Sequence, residues 1–311
     1  MENEKLKILI VCSKNSGKIA PFITDQAELL QREGCVVDFS TIEGKGLKGY
    51  LKNRAKLIEK IKREQPNIIH AHYGLSGLLA NLQRRVPVVT SYHGSDINYK
   101  KVLIFSKISM FLSRFNIFVS KKNIKTAKPR KNYALIPCGV DLQVFKPMDK
   151  SECRGKFGFK SNEKLVLFAS SFDNEVKNPA LAQAALALLE NVKLIELKGY
   201  NRQQVSELMN AVDAVLLTSF SEGSPQFIKE AMACGCPIVA VDVGDVREIT
   251  ANIEGCYVAN ACTKEEIAEN LKQALTFGKK TQGRARITAL GMDNTVIANK
   301  LKEIYKKIDN Q

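Results

Sequence analysis

Tryptophan is absent from the 311 residues, histidine occurs three times, and no pair among the eight cysteines has CxxC spacing. A chain this long with scattered thiols is not a disulfide-dense mini-domain; Cys12, Cys35, Cys138, Cys153, Cys234, Cys236, Cys256 and Cys262 read as reduced, mostly buried thiols of a cytosolic protein. Long apolar runs are also missing. Only Ile8 to Cys12 follows the polar start, too short for a signal-peptide core, and Val102 to Val119 is broken by Lys107, Arg114 and several serines, which excludes a spanning helix. Repeats and low-complexity stretches are lacking, and with 45% hydrophobic residues the chain can fill two cores, so a disordered or fibrous protein is excluded.

Charge is present in excess and is unevenly placed. The net charge of +15 lies wholly in residues 1–150, which hold 27 Lys and Arg against 12 Asp and Glu; residues 151–311 hold 20 of each. Such a half attracts nucleic acid, an anionic membrane face or a phosphorylated substrate, or is simply a solubilising surface.

Short β-branched runs at 7–12, 36–42, 67–71, 86–91 and 117–120 alternate with helical stretches, and a second series runs through 165–170, 192–197, 214–218, 237–241 and 256–258. This rhythm predicts an α/β chain of two tandem, doubly wound, Rossmann-like domains. The expected boundaries are 1–146 for an acceptor domain, 147–163 for a linker marked by Pro147, Gly155, Gly158 and a stretch rich in Lys, Ser and Asn, 164–290 for a donor domain, and 291–311 for a closing helix that returns to the first domain. That helix carries one apolar stripe, Val296, Ile297, Leu301, Ile304, Tyr305 and Ile308. Two open parallel sheets facing a cleft bind ligands beyond the carboxyl ends of their strands, which directs attention to the loops there.

The loop after 214–218 runs through Ser219, Glu222, Gly223, Ser224 and Pro225, with Glu230 eight positions beyond Glu222. Ser224 followed by Pro225 reads as a helix N-cap and first turn, whose free amides would take an anionic oxygen, and each carboxylate could hold a pair of vicinal hydroxyls. A well-capped helix with two solvated glutamates is the other reading. His70 and His72 end one strand run and face the same way; without a third ligand or carboxylate in reach, no metal site is expected. His72 is the better of the two for the cleft, and His93, presented by Gly94, Ser95 and Asp96, could donate hydrogen bonds or shuttle a proton. Gly44, Gly46 and Gly49 spell a GxGxxG, but in the second rather than the first turn and with no acidic residue ending the next strand; Lys45 and Lys48 there, together with His72 and Asp96, are expected as acceptor-side groups.

The segment Glu222-Gly223-Ser224-Pro225, Glu230 and Ala231-Met232-Ala233-x-Gly235-x-Pro237-Ile238-Val239 resembles the signature of family-four glycosyltransferases, retaining enzymes of GT-B architecture. Further matches are Ser16-Gly17-Lys18, His93 to Asp96, Ile136-Pro137-Cys138-Gly139-Val140-Asp141 with Phe145 and Pro147, and Val176-Lys177-Asn178, so the likeness spans about residues 5–308. It implies that Glu230 binds the donor ribose, Glu222 the sugar hydroxyls, and the amides from Gly223 to Pro225 neighbouring sugar and phosphate oxygens. Lys177 would neutralise the diphosphate, Gly17 would let the first loop approach it, and His93 would face the donor sugar; His93, Lys177 and Glu222 would form the catalytic set, without metal or cofactor. The stretch Ala169 to Asp173 lacks the arginine many members carry, which leaves Lys177, helix amides and Arg247 or Lys198 to take up the leaving charge.

The resemblance further implies a UDP- or GDP-sugar donor, hexose transfer with retention, and a glycan or polyprenyl-linked acceptor in bacterial-type surface polysaccharide synthesis. The helix with Phe105, Ile108, Phe111, Leu112 and Phe115, followed by Lys121, Lys122, Lys125, Lys128, Arg130 and Lys131, could lie on an anionic membrane at the cytoplasmic face or be an ordinary core helix. Nucleic acid is not expected as a partner, because these cations lack interleaved aromatics and no recognised motif accompanies them. A donor-binding but inactive homologue and a basic nucleic-acid-binding protein remain the alternatives.

Overall fold

The computed structural model describes residues 5–310. It divides into two units, the first ending at Gly139 and regaining the chain from Asn294 onward, the second spanning Val140–Asp293.

The first unit carries strands β1 (Lys7–Ser13), β2 (Val36–Ile42), β3 (Ile68–His72), β4 (Val88–Tyr92), β5 (Phe115–Phe118) and β6 (Tyr133–Leu135), all parallel, in the order β2-β1-β3-β4-β5-β6. Alternate residues of β1 feed two cores. Ile8, Ile10 and Cys12 pack with Ile23, Ala27 and Leu30 of helix Pro21–Arg32 and with Ile297, Leu301 and Tyr305 of helix Asn294–Asp309, while Leu9 and Val11 pack with Leu57, Ile61 and Leu79 on the opposite face. The stripe of the last helix thus covers the first sheet, with Val296 left exposed. Strands β3 and β4 are buried along their whole length, as parallel strands covered on both faces must be.

The second unit has β7 (Lys164–Phe168), β8 (Val192–Ile195), β9 (Ala214–Leu217), β10 (Ile238–Val241) and β11 (Cys256–Ala259), again parallel, in the order β11-β10-β9-β7-β8. Residues 147–163, expected as a linker, are part of this unit. Asp149 caps a helix over Lys150–Phe157, and the buried guanidinium of Arg154 donates to the carbonyls of Ala211, Lys160, Ser161 and Glu163 and to Asp213 Oδ2. The Gly and Lys content that suggests a linker belongs instead to a short helix ended by Gly158 in the left-handed region.

Candidate active site

In each sheet one pair of neighbouring strands sends its following connections in opposite directions, and ligands of open α/β sheets bind at such a crevice. In the second unit this pair is β7 and β9. The loop after β7 makes a short 3-10 turn, Glu175–Lys177, and Asn178 then caps helix Pro179–Leu186. Thr218, directly after β9, donates its hydroxyl to the carbonyls of both Lys177 and Asn178 at 2.9 Å, and the Phe220 amide donates to Val176 O at 3.0 Å. The two loops are therefore latched, and the latch brings Lys177 Nζ to 2.6 Å from Glu222 Oε1, both side chains largely buried.

Helix Gln226–Cys234 leaves from the same loop, with Pro225 at its N-cap position. Ser224, expected as the cap, makes no capping hydrogen bond. Its hydroxyl lies near Asp245, whose carboxyl is raised above the usual range by burial and partly held down by Lys229 and by Ser224 itself. Gly223 packs so closely on Gly244 that a Cβ at 244 would stand 2.6 Å from the Gly223 carbonyl, so the loop geometry requires glycine there. Glu230, one turn into the helix and buried, receives Arg202 Nη1 at 3.3 Å, and the Arg202 guanidinium lies 5.0 Å from the centroid of the Phe145 ring.

Nothing in the sequence tied Arg202 to Glu230: it opens helix Arg202–Ala211 behind a capping box, and the pairing arises only when two helices pack. The other two cations considered for the leaving charge have structural partners. Lys198 pairs with Asp173 at the surface, 2.9 Å apart, and Arg247 bonds Asp242 at 2.8 Å and the Ala259 carbonyl at 3.0 Å.

In the first unit the corresponding pair is β1 and β3. Gly17, after β1, adopts φ +86 in a tight turn onto the Lys14 carbonyl, where L side chains are strained. Asn15 exchanges two hydrogen bonds with the backbone of Gly44, at 2.9 and 2.8 Å, and so ties this loop to the next. A Cβ on Gly49 would stand 2.6 Å from the Gly44 carbonyl carbon, so these GxGxxG glycines serve a backbone crossing within the loop. Lys45 and Lys48 project from it and are exposed.

All three histidines gather at the carboxyl ends of β3 and β4. The rings of His70 and His72 stack with centroids 4.4 Å apart, and His72 stacks on His93 at 5.2 Å. His70 is a satisfied core residue, with Nδ1 2.5 Å from Tyr305 Oη and Nε2 2.8 Å from Ser91 Oγ, and burial pushes it down to about 3. His72 is fully buried rather than facing solvent; burial, then the neighbouring imidazoles, keep it far below the usual range and hence neutral. Its Nδ1 lies 3.0 Å from His93 Nε2, and its Nε2 is buried without a partner. An unmet acceptor is cheaper than an unmet N–H, so His72 donates through Nδ1 to His93 Nε2. His93 Nδ1 then faces Cys138 Sγ at 3.7 Å, and the ring is flanked by Phe22 and Tyr73, each with its centroid 4.7 Å away. Of the three histidines, His93 alone is partly exposed.

Asp96 also departs from the expectation of an acceptor-side group. It is buried, and its carboxylate accepts from the amides of His93, Gly94 and Gly74, each at 3.0 Å. Burial raises it to about 6 against those bonds, and its position braces the turn that presents His93.

The family described as Glycosyltransferase Family 4 matches residues 11–144, and that described as Glycosyl transferases group 1 matches residues 163–276. The chain is 24% identical over 241 residues to TuaC of Bacillus subtilis, named for teichuronic acid biosynthesis, covering 68% of this chain and 61% of TuaC. It is 22% identical over 307 residues to the Escherichia coli UDP-Gal:alpha-D-GlcNAc-diphosphoundecaprenol alpha-1,3-galactosyltransferase, covering 84% of this chain and 76% of that protein. The chain thus spans less than two thirds of the length of TuaC. Among solved structures, sucrose-phosphate synthase from Thermosynechococcus elongatus superposes with a TM-score of 0.82 at 17% identity over 98% of this chain and 99% of that one. Anabaena HepE in complex with UDP-glucose gives 0.75 at 18% identity, over 97% and 100%. These two likenesses establish the GT-B fold.

Proposed function

Since the chain belongs to the glycosyltransferases of group 1 and family 4, we propose that it transfers a hexose-type sugar from a nucleotide donor to a glycan or lipid-linked glycan, with retention at the anomeric carbon and without a metal. The carrying observation is the Lys177–Glu222 pair, 2.6 Å apart at the β7/β9 crevice, with Glu230 on the helix that follows. In this reading Glu230 accepts the two ribose hydroxyls and Glu222 the sugar hydroxyls. Gly223, Ser224 and Pro225 line the sugar and phosphate, the amides being those of Gly223 and Ser224, because proline has none. Gly17 allows close approach to the diphosphate.

The anomeric C–O bond breaks with its electron pair passing to the diphosphate, and Lys177 is the cation on this unit placed to stabilise that charge. The acceptor hydroxyl bonds to the anomeric carbon from the same face, and its proton passes to the departing phosphate oxygen. His93, held by His72 and Asp96, orients the reacting sugar. A uridine donor is favoured by likeness to the UDP-glucose-bound HepE fold, and a polyprenyl-diphosphate-linked acceptor by likeness to the galactosyltransferase. Lys45 and Lys48 would meet the acceptor's charge.

The test is a calorimetric titration with UDP, GDP, ADP and their sugar derivatives, followed by transfer assays with whichever binds. One responding sugar nucleotide supports the reading; silence from all of them removes it.

The same reading puts the reaction at the cytoplasmic face of an anionic membrane. Supporting it, helix Lys100–Leu112 exposes Ile104, Ile108 and Phe111 on one stripe.

A further inference from the structure

Helix Lys100–Leu112 buries two serines and leaves an apolar stripe exposed. Its inner face carries Ser106 and Ser109, set against Gly74 and Gly77 of helix Gly74–Asn81, with Leu103 and Met110 packed on the core beside them, and its outer face is apolar: Ile104 is 60% exposed, Ile108 45% and Phe111 88%. Residues at i, i+4 and i+7 form one stripe, and Lys100, Lys101 and Lys107, all exposed, accompany it.

At the end of this stripe Phe111 forms part of the wall of a cavity of about 560 Å³ whose rim carries Arg84, Arg85, Arg114 and Lys131. The floor is polar: Asn81 donates to Ser113 Oγ at 2.9 Å, and Gln83 is clamped to the backbone of Arg85 and Val86. Neither arginine at 84 and 85 nor Lys131 has an ion-pair partner among the described residues, and no carboxylate lines the cavity. Val88 begins β4, Arg114 precedes β5 and Asn132 precedes β6, so the cavity opens at the amino ends of the strands. His93 lies beyond the other end of β4, about 17 Å along a five-residue strand.

We propose that this cavity binds the phosphate headgroup of an anionic glycerophospholipid, with Phe111, Ile108 and Ile104 lying among the acyl chains beside it. The proposal rests on the membrane reading above and is independent of the donor and acceptor. Guanidinium forks match phosphate oxygens bidentately, and their placement next to an exposed aromatic suits the boundary between headgroups and hydrocarbon. A soluble anion would use the cations but has no need of the apolar stripe; a lipid uses both.

The experiment is flotation with vesicles of phosphatidylcholine, alone or with 30% phosphatidylglycerol, for the unaltered protein and for three variants: Arg84→Glu with Arg85→Glu, Phe111→Ser, and Lys56→Glu with Lys62→Glu. The last makes the same charge change at exposed positions of helix Arg54–Glu64. Expected is at least tenfold preference of the unaltered protein for the anionic vesicles, lost about tenfold in the first two variants and nearly kept in the third. Equal losses in both charge-reversed proteins reduce the effect to diffuse attraction and overturn the cavity while leaving the membrane reading intact. Absence of vesicle binding by the unaltered protein overturns both. Retention on a single-stranded RNA that Arg84→Glu with Arg85→Glu abolishes, with vesicles ignored, assigns the cavity to nucleic acid instead. Unchanged thermal response to the donor nucleotide certifies that each variant is folded.

Discussion

Lys177 Nζ and Glu222 Oε1 stand 2.6 Å apart across loops that leave the adjacent strands β7 and β9. Both side chains are largely buried, so the attraction between them is less weakened by water than it would be on an open surface. In the proposed reaction, a diphosphate arriving at Lys177 would free Glu222 for the neutral hydroxyls of the sugar.

Removing the charge at Lys177 should therefore act on the transition state. For Lys177→Ala we expect kcat to fall about 10² to 10³-fold, the scale found when one preorganised stabilising group is lost. Glu222→Gln should lower kcat while leaving affinity for the bare nucleotide nearly unchanged. Steady-state kinetics and nucleotide titration separate the two, and unaltered turnover in both variants would remove this crevice from the mechanism.

Glu230→Gln should act on binding. Carboxylate hydrogen bonds contribute about 1.5 to 3 kcal/mol each, so donor KM is expected to rise tenfold or more with kcat less affected. Arg202 retains its stacking on Phe145, which lies on the same unit. A variant with the original KM would mean that the Glu230 carboxylate serves Arg202 alone.

Stability of the first unit should fall below pH 6.5. His70 and His72 take up protons in the unfolded chain near 6.5, but His70 in the folded chain only near 3, and His72 is likewise depressed. The stability they confer is full above 6.5 and is lost as pH falls, at about 1.4 kcal/mol per unit for each histidine. Asp96 works the other way: raised from 3.8 to about 6, it is protonated earlier in the folded chain and offsets part of the loss between those values. Calorimetry at pH 7.5, 6.5 and 5.5 should show a falling midpoint, with a shallower slope in His70→Gln. A flat profile contradicts the buried neutral imidazoles.

Two glycines set the seat of helix Lys100–Leu112. A Cβ on Gly74 would lie 2.7 Å from Ser106 Cβ and 2.9 Å from its Cα, and one on Gly77 would lie 2.5 Å from Thr90 Cγ2. Gly74→Ala should cost about 1 to 3 kcal/mol by overpacking, measured by urea unfolding. Adding Ser106→Gly should recover part of that loss; a further decrease would show that the helix seat is not the cause.

Alternation of short apolar runs with amphipathic helices determined the α/β class and most strand positions, because parallel strands buried on both faces must be apolar throughout. The weakest strand, β6, has an exposed edge and only three residues, and carries too little pattern to be read. That Glu222, Gly223, Pro225 and Glu230 follow a strand and lead into a helix was legible because their spacing is local, while the roles proposed for them come from the resemblance alone. Residues 147–163 misled because the contacts that order them, Arg154 with carbonyls up to 57 positions away, leave no local trace. Tertiary structure alone decided that His72 is buried, that Asp96 braces a turn, that Arg202 meets Glu230, and that a serine face of helix Lys100–Leu112 is turned inward. Each of these depends on which elements become neighbours, and composition and periodicity report only what one segment does by itself.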